Sequence, residues 1–219
     1  MKFILLYVLC AFGIFYAVGD PITDFKTLLD ESANEIANNE HDFFNSIIVL
    51  VSNVKDTSTE ALGQSWKATQ TFTAISNEKA DTKEKKDCIA SEKEKLLKII
   101  NTVAFTLDTC REKSSAAAQP VRTKIQDIHK ETMSMGNELD TIRSSCSQDP
   151  EKSEDCISYK LNDLRVSLKN IFEKFQTYVI EAGTIEPQIL SIAMNCNAKI
   201  LKEVHEEVTN IQKNVQKCI

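Results

Sequence analysis

Six of the seven cysteines, all but Cys10, are the residues of this 219-residue chain whose type and spacing carry the most chemistry. Cys88 and Cys110 bound "CIASEKEKLLKIINTVAFTLDTC", and Cys196 and Cys218 bound "CNAKILKEVHEEVTNIQKNVQKC", with 21 residues inside each pair. Cys146 and Cys156 flank the polar stretch "SQDPEKSED". Thiols at such positions could ligate a metal, act as nucleophiles or form disulfides. No C-x-x-C occurs, and the three histidines lie away from the cysteines, so no zinc ligand set forms. An even number of cysteines in an exported chain points to disulfides, which leaves no thiolate for catalysis.

Two further clusters hold ionisable groups, Glu40-His41-Asp42 and His205-Glu206-Glu207. Adjacent residues on a helix point in different directions, so neither cluster converges on one atom for acid–base work or metal binding. Met133, Met135 and Met194, with many phenylalanines, could line an apolar pocket, although ordinary core packing is the favoured account of them. HExxH, G-x-S-x-G and P-loop signatures are all missing. The expectation is a protein that is not an enzyme and uses no cofactor and no metal.

The export signal is the opening "MKFILLYVLCAFGIFYAVGD". Lys2 precedes an apolar run to Val18, and Ala17-Val18-Gly19 supplies the small residues of a cleavage site, so residues 1–19 read as a signal peptide. An uncleaved anchor is the alternative, since the run is almost long enough to span a bilayer. Cleavage removes Cys10 and Lys2, leaving six cysteines and taking the net charge from −6 to −7. That sign disfavours nucleic acid and anionic membrane as partners. No later stretch is long enough to span a membrane, and no Asn-x-Ser/Thr sequon occurs.

The elements that must position the cysteines are helices. After the signal, glycine occurs only at 63, 136 and 183, and proline only at 21, 120, 150 and 187, too little turn chemistry for many short strands. Pro120, Pro150 and Pro187 fall between apolar patterns and read as helix starts, with Asp149 as an N-cap. Ile189 to Cys218 carries nine inward positions over 29 residues, a step of about 3.6. Similar rhythms run from Val121 to Cys146, from Ile157 to Tyr178, and through Cys88, Leu96, Val103 and Cys110. Four long amphipathic helices follow.

Upstream, Phe25, Leu29, Ile36, Phe43 and Ile47 give one more helix, unusually apolar around "SIIVLV". Thr57-Ser-Thr-Glu60 resembles a capping box that opens another, with Leu62, Trp66 and Phe72 inward, while one continuous helix from Thr23 to Asn77 stays open. Trp66 reads as a packing anchor. Gly136 inside a helix either permits a close helix approach or is merely tolerated. The mixed-charge "EKADTKEKKD" reads as solvated helix or linker. The division expected is a 20–80 helical segment and an 81–219 disulfide-linked bundle.

Twenty-two residues of helix rise about 33 Å, and a disulfide needs Cα atoms within about 7 Å. Cys88 therefore cannot bond Cys110, nor Cys196 bond Cys218. An up-down-up-down arrangement of the four helices puts Cys110 and Cys196 alone at one end, which predicts Cys110–Cys196. The other four share the opposite end, where three pairings are open. Cys146–Cys156 across the hairpin, leaving Cys88–Cys218, is the natural choice. The fold expected is all-α: an elongated antiparallel four-helix bundle laced by three disulfides, with one or two N-terminal helices added.

With its exported start, charged amphipathic helices and segments "DCIASEKEKLLKIINTVAFTLDTC" and "ILSIAMNCNAKILKEVHEEVTNIQKNVQKC", the chain resembles the TsetseEP-domain family of secreted insect proteins over about 25–218. The resemblance implies an extracellular protein associated with gut or secretions, and no catalytic residues. The family's namesake carries a Glu-Pro repeat; here a single Glu186-Pro187 stands, so repeat-dependent properties do not transfer. Insect odorant-binding proteins are also helical with six cysteines, but their three-residue gap between the second and third is absent, Cys110 and Cys146 lying 36 apart.

Two functions follow as expectations. One is an extracellular interaction module that engages a protein or glycan through the charged outer faces of its helices. The alternative is a carrier of a hydrophobic, lipid-like small molecule, which needs an apolar cavity of about 300 Å³ or more. No ligand-binding residues are assigned at this level.

Overall fold

The computed structural model describes residues 20–146 and 153–219. The expected signal peptide and the Asp149-Pro150 cap lie outside them. Among the described residues there are four helices and no strand: α1 (Pro21–Lys79), α2 (Lys83–Ala116), α3 (Gln119–Cys146) and α4 (Ser153–Cys218). The protein is all-α, with three disulfides.

Helix α1 opens on the cap chemistry of an Asp-Pro step. The Asp20 carboxylate accepts from the Ile22 N–H at 3.4 Å and from the Thr23 hydroxyl at 2.8 Å, and Pro21 takes the first helical position. The helix then runs unbroken for 59 residues, which resolves the question of one segment or two. Thr57-Ser-Thr-Glu60 does not start a helix. The hydroxyls of Thr57, Ser58 and Thr59 instead donate to the carbonyls four residues back, at 2.9 Å each. Back-bonding satisfies these side chains in a helix interior as well as a cap would at its start.

Pro120 falls in the first turn of α3, as its role as a start marker requires. Pro187 does not begin a helix; it lies inside the 66-residue α4. A proline there removes one hydrogen bond and crowds the carbonyl four residues back, which belongs to Gly183. Both residues face solvent, where water can take the freed carbonyl. The apolar stripe meanwhile passes through without interruption, by way of Phe175, Ala182, Ile189 and Ala193. Burial on either side outweighs the local cost. Thus the two C-terminal helices expected from the proline markers are one.

The chain forms two contact units. One contains residues up to Asn38 with Ile125–Gln176, and the other contains Asn39–Lys124 with Thr177–Ile219. In the first, α1 contributes Phe25, Leu29 and Ile36, α3 contributes Ile125 and Leu139, and α4 contributes Leu168, Ile171 and Phe175, all at 3 % exposure or less. Burying each such side chain stabilises by about 1.5–3 kcal/mol. Ion pairs Lys26–Asp140 at 2.7 Å, Lys174–Glu131 at 3.2 Å and Arg143–Asp20 lie on its surface. Asp140 raises the Lys26 pKa, and the Thr23 hydroxyl, then Arg143, lower that of Asp20.

Gly136 sits in α3 of this unit, and a Cβ built there meets nothing within 4 Å. It therefore serves no close helix approach. Gly136→Ala should raise stability by about 0.5–1 kcal/mol, because alanine restricts the unfolded chain at no steric cost. A urea titration checks this, and a destabilised variant would show a tight neighbour that the structure lacks.

In the second unit, Trp66 and Phe72 of α1 pack partly buried against a core of α2 and α4 side chains, including Leu96, Leu107, Val208, Ile211 and Val215. The turn into α2 occupies Ala80–Thr82, and the Thr82 hydroxyl caps α2 by accepting from the Lys85 N–H at 3.4 Å. The mixed-charge stretch is thus one helix end, a short turn and one helix start.

Candidate functional site

All three expected disulfides are present: Cys88–Cys218, Cys110–Cys196 and Cys146–Cys156, with Cα separations of 5.9, 5.8 and 5.7 Å. The first two join α2 to α4 within the second unit and explain the equal spacing. Two antiparallel helices that keep one register between two bridges must have arms of equal length. Because Pro187 does not turn the chain, the reason is this pairwise register rather than the parity of four separate helices. Cys146–Cys156 closes the connection between α3 and α4 in the first unit.

The interior of the second unit contains a polar seam that composition does not advertise. Ser58, Thr69, Thr73 and Ser76 of α1 are buried, at 5 % exposure or less. Asn197, 3 % exposed, donates its amide to the Ser58 hydroxyl at 3.1 Å, and Gln212 donates to Thr69 at 3.0 Å. The Asn197 Oδ1 has no partner. Such pairs cost stability relative to an apolar core but set the register of α1 against α4, since a slip would orphan every member. The missed signal was the 3–4 spacing of Ser58, Leu62, Ser65, Thr69, Thr73 and Ser76, readable as a helical stripe once small hydroxyl residues are admitted to the interior.

Between the two α2–α4 bridges lies a groove of about 300 Å³. Its floor is Ile99, Val103, Ile200 and Val204, of which Val103, Ile200 and Val204 belong to the unit's core. Thr102 and Thr106 of α2 line one wall, Glu203 and Glu207 of α4 line the other, and Lys98 also borders it. Val103 of α2 and Val204 of α4 lie on the two sides of this floor. These valines appear in the sequence only as ordinary stripe members. Phe105, seven residues after Lys98 and so on the same side of α2, is 75 % exposed.

The other candidates stand apart. Met133 and Met194 are exposed and Met135 is buried in the first unit, so the methionines do not line one pocket. His41 is exposed and meets Asn45 at 2.8 Å, while Glu40 pairs with Arg122, whose guanidinium stacks on Phe44 at 3.9 Å. His205 and Glu206 face solvent, whereas Glu207 borders the groove. Among the described residues, no three His, Cys, Asp or Glu side chains gather to hold a metal ion, and no helix is long and apolar enough to cross a membrane.

Lys55 of α1 bonds Asp108 of α2 at 2.6 Å and, as the largest influence, holds its carboxyl below the ordinary carboxylate value. A carboxyl more acidic when folded contributes stability above its unfolded pKa, near 3.9, and loses it as pH falls through the folded value. Lys55→Met should therefore flatten the decline of stability with acidification below about pH 4. Urea midpoints at stepped pH check this; an unchanged slope would show the pair to be inert.

No protein-family model, curated protein or solved structure matches this chain.

Proposed function

We propose that the protein is a secreted, non-enzymatic helical binding module, exported by a cleaved 1–19 leader and working in an extracellular setting of the kind the TsetseEP-domain resemblance implies. Three disulfides fit an oxidising compartment. The observation that carries the reading is Phe105, held at 75 % exposure on the α2 arm between two cross-links. A large aromatic on a braced helix presents contact area at low ordering cost, as interaction hot spots do. Its partner on this reading is an extracellular protein or glycan.

Native mass spectrometry of protein purified from its source tests the proposal. A co-purifying protein or glycan that Phe105→Ala releases, with the melting temperature unchanged, supports it. Release by neither Phe105→Ala nor charge reversal on the outer faces would sink it. A second reading, carriage of a small amphiphile, is favoured by the groove, whose volume reaches the lower end of the range for ligand sites.

A further inference from the structure

The α2–α4 groove has a chemistry that narrows its occupant. Its floor is aliphatic, so it favours an apolar body. Its hydroxyls are already committed as donors: Thr102 donates to the Lys98 carbonyl at 3.0 Å and Thr106 to the Thr102 carbonyl at 2.9 Å. What these threonines still offer a ligand is lone pairs. The facing wall offers two carboxylates one helical turn apart, Glu203 and Glu207. Glu203 has only a 4.0 Å contact with Lys199, and Glu207 has no ion-pair partner among the described residues. Apart from Lys98, the polar groups of both walls accept, which favours an occupant that donates.

Lys98 is the one cation bordering the groove, against two carboxylates, which leaves an excess of negative charge there. The chain's overall charge of −6 has the same sign and adds attraction for a cation. Along α2 the lining runs from Lys98 to Thr106, about 12 Å of helix. That length suits a medium alkyl chain lying along the floor.

We propose that the groove between α2 and α4 binds a monocationic amphiphile, a primary alkylammonium in chemical class, with its chain on Val103, Ile200 and Val204 and its ammonium between Glu203 and Glu207. The inference rests on the carrier reading above and adds the sign and kind of headgroup. Lys98 then opposes the ligand.

The probe is n-octylammonium, used below its aggregation threshold and compared with n-octanol and octanoate by calorimetry and by amide shifts on the full chain. Octylammonium should bind, with shifts at Val103 and Val204, and octanol should bind up to about fivefold more weakly, as expected for a solvent-accessible ion pair. The exposed pair Glu203→Gln and Glu207→Gln should lose that preference, while Lys98→Gln should strengthen octylammonium binding. Thr102→Leu, at an exposed position, should fill the groove and weaken all three probes. Octanol equal to octylammonium would overturn the headgroup assignment and leave the carrier reading standing. A preference for octanoate that Lys98→Gln removes would overturn it likewise. Absence of shifts with every probe would overturn both.

Discussion

Replacing Cys110 and Cys196 by alanine should lower the stability of the second unit by about 4 kcal/mol. The bridge closes a loop of sequence separation 86, and Cys88–Cys218 closes one of 130 around it. With the outer bridge intact, the inner one restricts a smaller ring made of two 23-residue arms, so its effect falls below that of an isolated 86-residue closure. Removing the outer bridge alone should behave in the same way, and removing both should cost more than either, with a non-additive remainder. Urea unfolding of the single-bridge and double-bridge variants measures all three terms. A change under about 1 kcal/mol on losing the inner bridge would show that the arms hold register without it.

Phe175→Ala should destabilise the first unit by about 3–5 kcal/mol. Phe175 is fully buried, at 0 %, in a core that includes Leu139, Leu168 and Ile171, and long helix side chains around it cannot collapse far into the space left. The readout is thermal and urea unfolding, followed by near-ultraviolet circular dichroism or by resonances of unit-one residues. Phe175→Leu should recover most of the loss. A small effect from alanine would mean that the α4 stripe is replaceable at its most buried aromatic position.

How far the architecture is readable from residue order depends on what kind of signal each element carries. The cysteines are discrete and few, and helix geometry alone excludes the two intra-arm bonds, so their pairing was legible. The apolar stripes placed the α2 and α3 boundaries near their observed ends for the same reason. Pro187 and Thr57-Ser-Thr-Glu60 misled because local rules assign them to helix starts, whereas burial on both sides of each decides the outcome. At Pro187 the continuing stripe from Phe175 to Ala193 prevails. At Ser58 the hydroxyl finds the Val54 carbonyl and the Asn197 amide within the helix bundle. The groove was illegible for a different reason. It exists only once α2 and α4 are brought together, lined by residues such as Val103 and Val204 that read singly as stripe members, and a void has no letter of its own.

The three disulfides join α2, α3 and α4; none involves α1, although α1 is 59 residues long. Its covalent tie to the described chain is the turn at Ala80–Thr82, where Asp81 and Thr82 are exposed. A protease that cuts this turn would convert one polypeptide into two, a cross-linked body and a helix held to it by non-covalent contacts alone, among them Lys55–Asp108 and Asn197–Ser58. Stability would then acquire a dependence on concentration, as it does for any complex whose parts can separate. Dilution would release the helix, and a synthetic copy of it could take its place. The cross-links thus make three helices permanent company and leave the first an exchangeable guest.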